Sequence, residues 1–223
     1  MLIISVFIAF SAMAQQDSSF RQKKRKDSLR DNKFCIEIAP LALIDFIDVP
    51  SCEIGAEVKL INNVSAYFEG GGYYSAGGRM SDVNGYIIKG ELKFYGNKNH
   101  ISSGPYLSLE GFYKKQSFNW QDSIHLSPPS LTTFRDFKSV YCFNLKFGKL
   151  IVHKSKIILD WYVGLGVRYR NITSTLTPQQ ISGLKYDDDS PYDSDLTGTT
   201  VDPIGRTVGL NLELGFKIGY LLR

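Results

Sequence analysis

Large apolar residues occupy every second position in several segments of this 223-residue chain. The clearest of these segments lies at the end of the chain, where small or polar residues separate the apolar ones. Its apolar positions are Val208, Leu210, Leu212, Leu214, Phe216, Ile218, Tyr220 and Leu222. A period of two is that of a β-strand, because successive side chains of a strand point to opposite faces. The segment predicts a long strand with one apolar and one polar face.

The same alternation recurs in seven earlier segments, so the chain is predicted to form eight strands. Together they span residues 34–38, 54–60, 64–68, 88–94, 107–113, 141–147, 157–170 and 208–222. The connections alternate between long loops, at 44–51, 75–85, 115–137 and 171–205, and shorter turns, at 61–63, 96–103 and 150–155. Outer-membrane β-barrels combine an even strand number with short turns at one end and long loops at the other. In such a ring the last strand pairs with both the seventh and the first.

The apolar residues of these segments are too many for the inside of an eight-stranded barrel. More than thirty of them are large, whereas such an interior is only wide enough to be filled by side chains or to hold one small ligand. The pattern favours a barrel with its apolar face towards lipid over a soluble, lipocalin-like barrel with that face inward. The residues predicted to face lipid are Trp161, Val163, Leu165, Leu210, Leu212, Leu214, Phe216 and Ile218.

Aromatic residues occur near the ends of the apolar faces. They are Phe34, Phe94, Tyr113, Tyr141, Tyr169 and Tyr220. Aromatic side chains form girdles at the two interfaces of a membrane barrel, but they are also frequent in strands of every kind. The membrane interpretation predicts that they lie at the rims of the lipid-facing band, close to the strand ends.

The polar faces of the same segments carry acids and bases in nearly equal number, interleaved with glycines. A narrow closed lumen requires this balance, because an unpaired buried charge costs several kcal/mol. On a soluble barrel the same charges would face water instead. The lumen interpretation predicts a charge network of Glu57, Lys59, Glu69, Lys89, Glu91, Lys93, Glu110, Lys146, Asp160, Arg168, Arg170, Glu213 and Lys217, with Glu37 and Glu53 on the same face.

The first 32 residues differ from the rest of the chain. Residues 1–14 contain an apolar run and the small-x-small pattern at which a secretory signal peptide is cleaved, although a basic start is missing. Residues 15–32 are polar and basic and predict a flexible linker, with contact to anionic lipid headgroups as the alternative. They carry much of the net charge of +4, so no nucleic-acid surface is predicted elsewhere. Residues 33–223 are assigned to the barrel.

The chain resembles the small outer-membrane barrel proteins of the OmpA-barrel, OmpX and OmpW type. The resemblance rests on the signal peptide, the eight alternating segments and the Gly-x-Asn-x-Glu-x-Gly-x-Lys-x-Gly pattern of residues 209–219, and it is greatest to barrels of the Bacteroidetes group. It implies an all-β fold, a closed eight-stranded antiparallel up-and-down transmembrane β-barrel, in a Gram-negative outer membrane. It also implies contact with membrane lipids and lipopolysaccharide, and insertion by the barrel-assembly machinery. The final Arg223 departs from the aromatic residue that usually ends such proteins.

Recognisable catalytic motifs are missing from the sequence. The three histidines do not form a zinc-protease motif, and no phosphate-binding loop or nucleophile elbow occurs. His153-Lys154-Ser155 is similar to the His-x-Ser pair of barrel lipid A deacylases, but strand parity puts it in a periplasmic turn, away from lipid A. The three cysteines are too few for a disulfide framework. No enzyme activity, cofactor or metal site is therefore expected.

Two of the long connections are candidates for contact with a surface partner. Residues 115–137 contain several aromatic residues, among them Phe118 and Phe134, which form either an exposed partner surface or packing on the barrel rim. Residues 171–205 contain aspartates clustered between positions 187 and 202. These carboxylates either solvate the loop or bind divalent cations that bridge to lipopolysaccharide phosphates.

The expected function is that of a structural or surface-interaction barrel of the outer membrane. Two alternatives stay open: a carrier of small hydrophobic ligands, either OmpW-like or soluble and lipocalin-like, and a barrel enzyme that modifies lipid A. A soluble carrier would be released from membranes by carbonate or salt. An enzyme would need a polar triad at the outer rim, which the sequence does not display.

Overall fold

The structure is a computed structural model, and it describes residues 34–44, 50–61, 63–74, 80–96, 104–124, 130–153, 156–182 and 204–222. The described residues form eight strands: β1 (Phe34–Ile38), β2 (Ser51–Ile61), β3 (Val64–Tyr73), β4 (Met80–Tyr95), β5 (Gly104–Ile124), β6 (Ser130–Val152), β7 (Ile157–Ser174) and β8 (Gly205–Leu222). A 3₁₀ helix at Pro40–Ile44 follows β1, and a short helix, α1 (Pro178–Ser182), follows β7. The predicted signal peptide and linker lie outside the described residues. No helix in these ranges is long and apolar enough to cross a membrane.

The eight strands form one antiparallel ring. Each strand pairs with the strand that follows it, and β8 returns to pair with β1, so the sheet closes on itself. The predicted all-β, eight-stranded, up-and-down topology is therefore confirmed. The prediction that the last strand pairs with both the seventh and the first is confirmed as well.

The strands are strongly staggered around the ring. Following paired residues once around from Phe34 leads through Val58, Ala66, Leu92, Leu109, Leu145 and Leu165 to Leu212. Phe34 itself pairs with Leu222, ten residues further along β8. A stagger of this size in an eight-stranded ring tilts the strands by roughly 40° from the barrel axis.

Three strands extend furthest beyond the lengths predicted from the apolar pattern. β5 and β6 stay paired from Gly104 with Leu150 to Ile124 with Ser130, so most of the predicted loop 115–137 is a β-hairpin. β4 likewise begins at Met80, within the predicted loop 75–85. Both loop boundaries were wrong because the apolar alternation ends where the outward side chains become polar, whereas the backbone hydrogen bonds continue.

Large apolar side chains cover the outside of the ring. The predicted lipid-facing residues on β7 and β8 all point outward: Val163, Leu165, Leu210, Leu212, Leu214 and Ile218 are exposed, and Trp161 and Phe216 are partly buried as a directly paired couple. Leu212 is 82% exposed. The polar residues between them point into the lumen, as the alternation predicts.

A row of four tyrosines crosses the outer face from β4 to β7. The centres of neighbouring rings are 6.0 Å apart for Tyr86 and Tyr113, 4.7 Å for Tyr113 and Tyr141, and 6.3 Å for Tyr141 and Tyr169. The prediction that Tyr113 and Tyr141 lie close to strand ends was wrong, since β5 and β6 continue past them. The row nevertheless marks the place where the outward residues change from mainly apolar to mainly polar.

Candidate functional site in the barrel lumen

The middle of the lumen is filled by a network of charged side chains. Its ion pairs form three groups, and the rings of Tyr67 and Tyr162 connect these groups through contacts with their lysines. The described members of the network come from all strands except β1, and each points inward because it occupies the polar phase of its strand. The four lysines and seven carboxylates joined by ion pairs are Lys89, Lys93, Lys146, Lys217, Glu53, Glu57, Glu69, Glu91, Glu110, Asp160 and Glu213. Ten of these residues are among those predicted for the network, and Glu53 was placed on the same face.

Lys93 connects opposite walls of the barrel. Its Nζ lies 2.8 Å from Glu57 Oε2 on β2 and 2.8 Å from Asp160 Oδ2 on β7, and all three side chains are buried. The same ammonium lies 4.9 Å from the ring centres of both Tyr67 and Tyr106, close enough for cation–π attraction. Charge pairing and aromatic contact together hold this cation away from water.

Lys146 makes a second bridge on the other side of the lumen. Its Nζ contacts Glu110 on β5 and lies 3.0 Å from Glu213 Oε1 on β8. The side-chain amide of Asn144 donates to both carboxylates, at 3.0 Å to Glu110 and 2.8 Å to Glu213. The ammonium also lies 4.1 Å from the ring centre of Tyr162. Two acids are thereby held together by one cation and one neutral donor.

Lys89 and Lys217 share a carboxylate. Lys89 Nζ lies 2.6 Å from Glu53 Oε2 and 2.7 Å from Glu69 Oε1. Lys217 Nζ lies 3.7 Å from Glu69 Oε2 and 3.5 Å from Glu91 Oε2. Every one of the four network lysines therefore contacts two carboxylates, which is the pairing that buried charges require.

Tyrosine rings fill the remaining space and lie over glycines of the adjacent strand. A Cβ atom on any of these glycines would come within 2.6 Å of the ring above it. The three pairs are Tyr67 over Gly55, Tyr106 over Gly148 and Tyr162 over Gly215. The alternation puts Tyr67 and Tyr162 on the polar face, but only the pairing register identifies the glycines beneath them.

Neutral hydroxyl groups donate further hydrogen bonds to several of the carboxylates. Ser65 and Tyr95 both donate to Glu57 Oε1, at 2.5 and 2.6 Å. Ser108 donates to Glu91 at 2.5 Å, and Tyr106 donates to Asp160 at 2.8 Å. Tyr95 and Tyr106 were not predicted as lumen residues, because both stand at strand ends outside the apolar alternation.

Apolar clusters lie at both ends of the polar part of the lumen. One cluster lies at the end of the barrel where β1 begins and β8 ends. Its buried residues are Cys35, Tyr95, Tyr106, Leu150, Ile158 and Leu221. At the opposite end, Phe118 and Phe134 pack with Leu176 of the segment that leads to α1. The charged layer is therefore enclosed between apolar groups, and side chains rather than a wide aqueous path occupy the centre of the lumen.

The two aromatic residues Phe118 and Phe134 settle one of the alternatives for residues 115–137. Both side chains are buried, at 3% and 4% exposure, because they lie on the inner face of the long β5–β6 hairpin. Of the two alternatives, packing on the barrel is therefore confirmed for these two residues, and an exposed partner surface is excluded for them. The side chain of Trp120 and residues 125–129 lie outside what the structure describes.

Three predicted network residues lie apart from the central ion pairs. Arg170 is buried nearer the long hairpin, where its Nε donates to Thr207 Oγ1 at 3.1 Å. Arg168 lies one inward position closer to the middle of β7 and is partly buried. Lys59 is partly buried near the C-terminal end of β2.

A second inward polar group was missed because two of its residues fall in the predicted loop 115–137 and the third directly follows that loop. Gln116, Asp136 and Lys138 are all buried on the lumen side of the β5–β6 hairpin. Asp136 and Lys138 have the spacing of inward strand positions, with Phe137 outward between them, whereas Gln116 has only the polar neighbours Lys115 and Ser117. The polar lumen therefore continues further towards the long hairpin than the sequence predicted.

Of the remaining candidate residues, the structure describes only His153. His153 is exposed in the turn between β6 and β7, and Lys154 and Ser155 lie outside the described residues. The other two histidines and the aspartates between positions 187 and 202 lie outside them as well. Comparison with known proteins assigns no family to this arrangement: no protein-family model, no curated protein and no solved structure matches the chain.

Proposed function

We propose that the protein is an integral outer-membrane β-barrel of structural or surface-interaction type, with a lumen closed by paired charges. The observation that carries the proposal is the apolar outer surface of the ring. Every one of the eight strands presents at least one exposed large apolar side chain on that surface. Soluble monomers rarely expose a contiguous apolar patch larger than a few hundred Å². A surrounding layer of lipid removes this surface from water.

The height of the apolar surface supports a bilayer as its surroundings. On β7 every outward residue from Ile157 to Tyr169 is large and apolar. At about 3.3 Å per residue and a tilt of roughly 40°, this stretch rises about 30 Å along the barrel axis. The hydrocarbon core of a bilayer is also about 30 Å thick. The tyrosine row stands at one edge of this band, where interfacial aromatic residues belong.

The long hairpin supports a role at the membrane surface rather than in transport. Beyond the tyrosine row, β5 continues with the outward residues Lys115 and Ser117, and Arg135 of β6 pairs with Asp82 at 3.1 Å. Polar outward residues suit a part of the barrel that projects into water. The packed charges in the middle of the lumen oppose the passage of solutes. We therefore propose that a surface partner binds to the projecting part.

Membrane extraction and heat-modifiable gel mobility test the proposal. We expect the protein to stay in the membrane fraction after carbonate or high-salt washing, and to migrate differently in unheated and boiled samples. A soluble carrier of hydrophobic ligands would instead be released by carbonate and would stay dissolved without detergent. Release together with unchanged mobility would overturn the membrane proposal.

A further inference from the structure

We propose that Cys35, Glu37 and Glu57 form a binding site for a divalent transition-metal ion of the zinc class. The three residues lie on β1 and β2, at the end of the lumen that holds the strand termini. Cys35 pairs directly with Glu57 across the two strands, and Glu37 follows Cys35 by two positions on the same face. One potential ligand atom from each residue lies within 4.8 Å of the other two.

The spacing of the ligand atoms suits a small ion with tetrahedral coordination. Cys35 Sγ and Glu37 Oε1 are 3.4 Å apart. With a metal–sulfur distance of about 2.3 Å and metal–oxygen distances of about 2.0–2.2 Å, ligand atoms of a tetrahedral zinc site are separated by roughly 3.5 Å. A small contraction around the ion would therefore bring all three ligands to bonding distance.

The second oxygen of Glu37 indicates that this site lacks a partner. Glu37 is completely buried, and its Oε2 atom has no hydrogen-bond partner among the described residues. Cys35 and Glu57 are buried as well. A buried carboxylate oxygen without a partner is costly, and a coordinated cation removes that cost.

The charges around the site favour a cation. Two lysines of the central network lie near this corner. Lys93 is shared between Glu57 and Asp160, and Lys217 between Glu69 and Glu91. Glu37 adds a further carboxylate, and its Oε2 accepts a hydrogen bond from neither ammonium. A divalent ion, with release of the thiol proton on binding, compensates this negative charge.

The ligand set identifies the class of ion. A thiolate together with carboxylates suits zinc and similar borderline ions, whereas Ca²⁺ and Mg²⁺ take oxygen ligands only. Ser65 and Tyr95 donate to Glu57 Oε1, and such outer hydrogen bonds orient a ligating carboxylate. The fourth coordination position would be taken by water or by one of these hydroxyl groups.

The position of the site suggests that the ion fastens β1 to the barrel. β1 is the shortest strand, with five residues, and it closes the ring between β2 and β8. Its site adjoins the buried apolar cluster that includes Cys35 itself, so the ion would enter before the ring closes. Binding would then be coupled to folding, as at other structural metal sites.

Metal analysis of the refolded chain tests this proposal. The full chain is refolded in detergent micelles under reducing conditions with Zn²⁺, freed of unbound metal and analysed for bound zinc. Refolding with Cd²⁺ in place of Zn²⁺ adds a thiolate-to-metal charge-transfer absorption as a direct signal of the sulfur ligand. We expect about one ion per chain with either metal.

Matched cysteine variants separate this site from adventitious binding. Cys35→Ser should abolish the cadmium–thiolate absorption, and Glu37→Gln should reduce metal affinity at least about 10-fold. Cys142→Ser is the control, because Cys142 also faces the lumen but donates to Asn144 Oδ1 at 3.2 Å. The control should bind metal like the unaltered chain. The proposal fails if the unaltered chain retains no stoichiometric ion. It also fails if the cadmium–thiolate absorption persists in Cys35→Ser. The first of these measurements needs no variant, so it can be interpreted even if Cys35→Ser does not fold.

Discussion

At the scale of single residues, the lumen depends on glycines that make room for aromatic rings. Gly215 is one example, since a Cβ atom there would lie 2.1 Å from Cζ of Tyr162. The Tyr162 ring in turn lies 4.1 Å from the ammonium of Lys146 and 5.0 Å from that of Lys217. One added methyl group on β8 would therefore displace a ring that contacts two of the four network lysines.

We predict that Gly215→Ala destabilises the barrel by about 1–3 kcal/mol, the range found for overpacked cores. Urea unfolding in lipid vesicles, followed by tryptophan fluorescence, measures the change. Gly90→Ala is the matched control, because Gly90 faces outward and the nearest atom to its added Cβ is 3.9 Å away. Equal stability losses in the two variants would show that the ring does not occupy the space above Gly215.

The environment of Leu212 distinguishes lipid from water around the barrel. In a bilayer, Leu212→Arg should cost about 2–4 kcal/mol, because the guanidinium would lie near the middle of the hydrocarbon. In water the same exchange at an exposed position should change stability by less than about 0.5 kcal/mol. Folding yield in lipid vesicles checks the prediction. Asn211→Ser, on the lumen side of the same strand, serves as the control, and equal yields of the two variants would contradict the proposed lipid-facing side.

At the scale of elements, the β5–β6 hairpin combines two parts in different surroundings. Its lower part carries outward apolar residues and belongs to the ring, whereas its upper part lies beyond Tyr113 and Tyr141 and carries mainly polar outward residues. The central charge network lies in the lower part. The upper part should therefore be dispensable for folding of the ring.

Shortening the hairpin tests this separation. Ser117 pairs with Phe137, so replacing residues 118–136 by a two-residue Asn-Gly turn joins two directly opposed positions. We expect the shortened chain to insert into vesicles with unchanged heat-modifiable mobility and to lose binding to any surface partner. A chain that no longer folds would show that the Phe118 and Phe134 cluster contributes to the stability of the ring.

The strand pattern predicted the topology of the ring but only part of the length of its strands. Apolar and polar residues alternate where the two faces of a strand meet different surroundings, and this alternation is clear at 157–170 and 208–222. It fades in the upper part of β5 and β6, where most outward residues are polar and the inner face mixes polar residues with Phe118 and Phe134. Backbone pairing there is invisible in the sequence, because it needs no particular side chain.

The sequence likewise could not predict which side chains contact each other across the lumen. Alternation correctly predicted that Lys93 and Asp160 point inward. Their contact was not predictable, because they lie on β4 and β7, which are not neighbouring strands. Their contact follows from closure and from the stagger of ten residues around the ring. The proximity of Cys35, Glu37 and Glu57 was equally hidden, because it depends on the register of β1 against β2.

At the scale of the whole molecule, the lysine bridges act as braces between distant strands. Lys93 joins β4 to β2 and β7, and Lys217 joins β8 to β3 and β4. These contacts cross the lumen instead of following the hydrogen-bonded ladder. Removing one lysine should therefore weaken the barrel at two strands at once.

We predict that Lys93→Met costs about 3–5 kcal/mol, because it leaves Glu57 and Asp160 buried without their cation. Adding Glu57→Gln and Asp160→Asn to the same chain should recover part of that loss, since the buried charges are then removed together. Urea unfolding in vesicles compares the single and triple variants. A triple variant less stable than Lys93→Met would contradict the charge-pairing explanation.

The unequal lengths of the strands give the ring a preferred place to open. β1 meets each of its neighbours, β2 and β8, through only five paired positions, whereas β5 and β6 share 21. The two junctions of β1 are therefore the seam of the barrel, and we expect their amide hydrogens to exchange fastest among the eight junctions. Unfolding then proceeds around the circumference from the seam towards the long hairpin. Insertion into a membrane would follow the reverse order, with the hairpin first and the seam last.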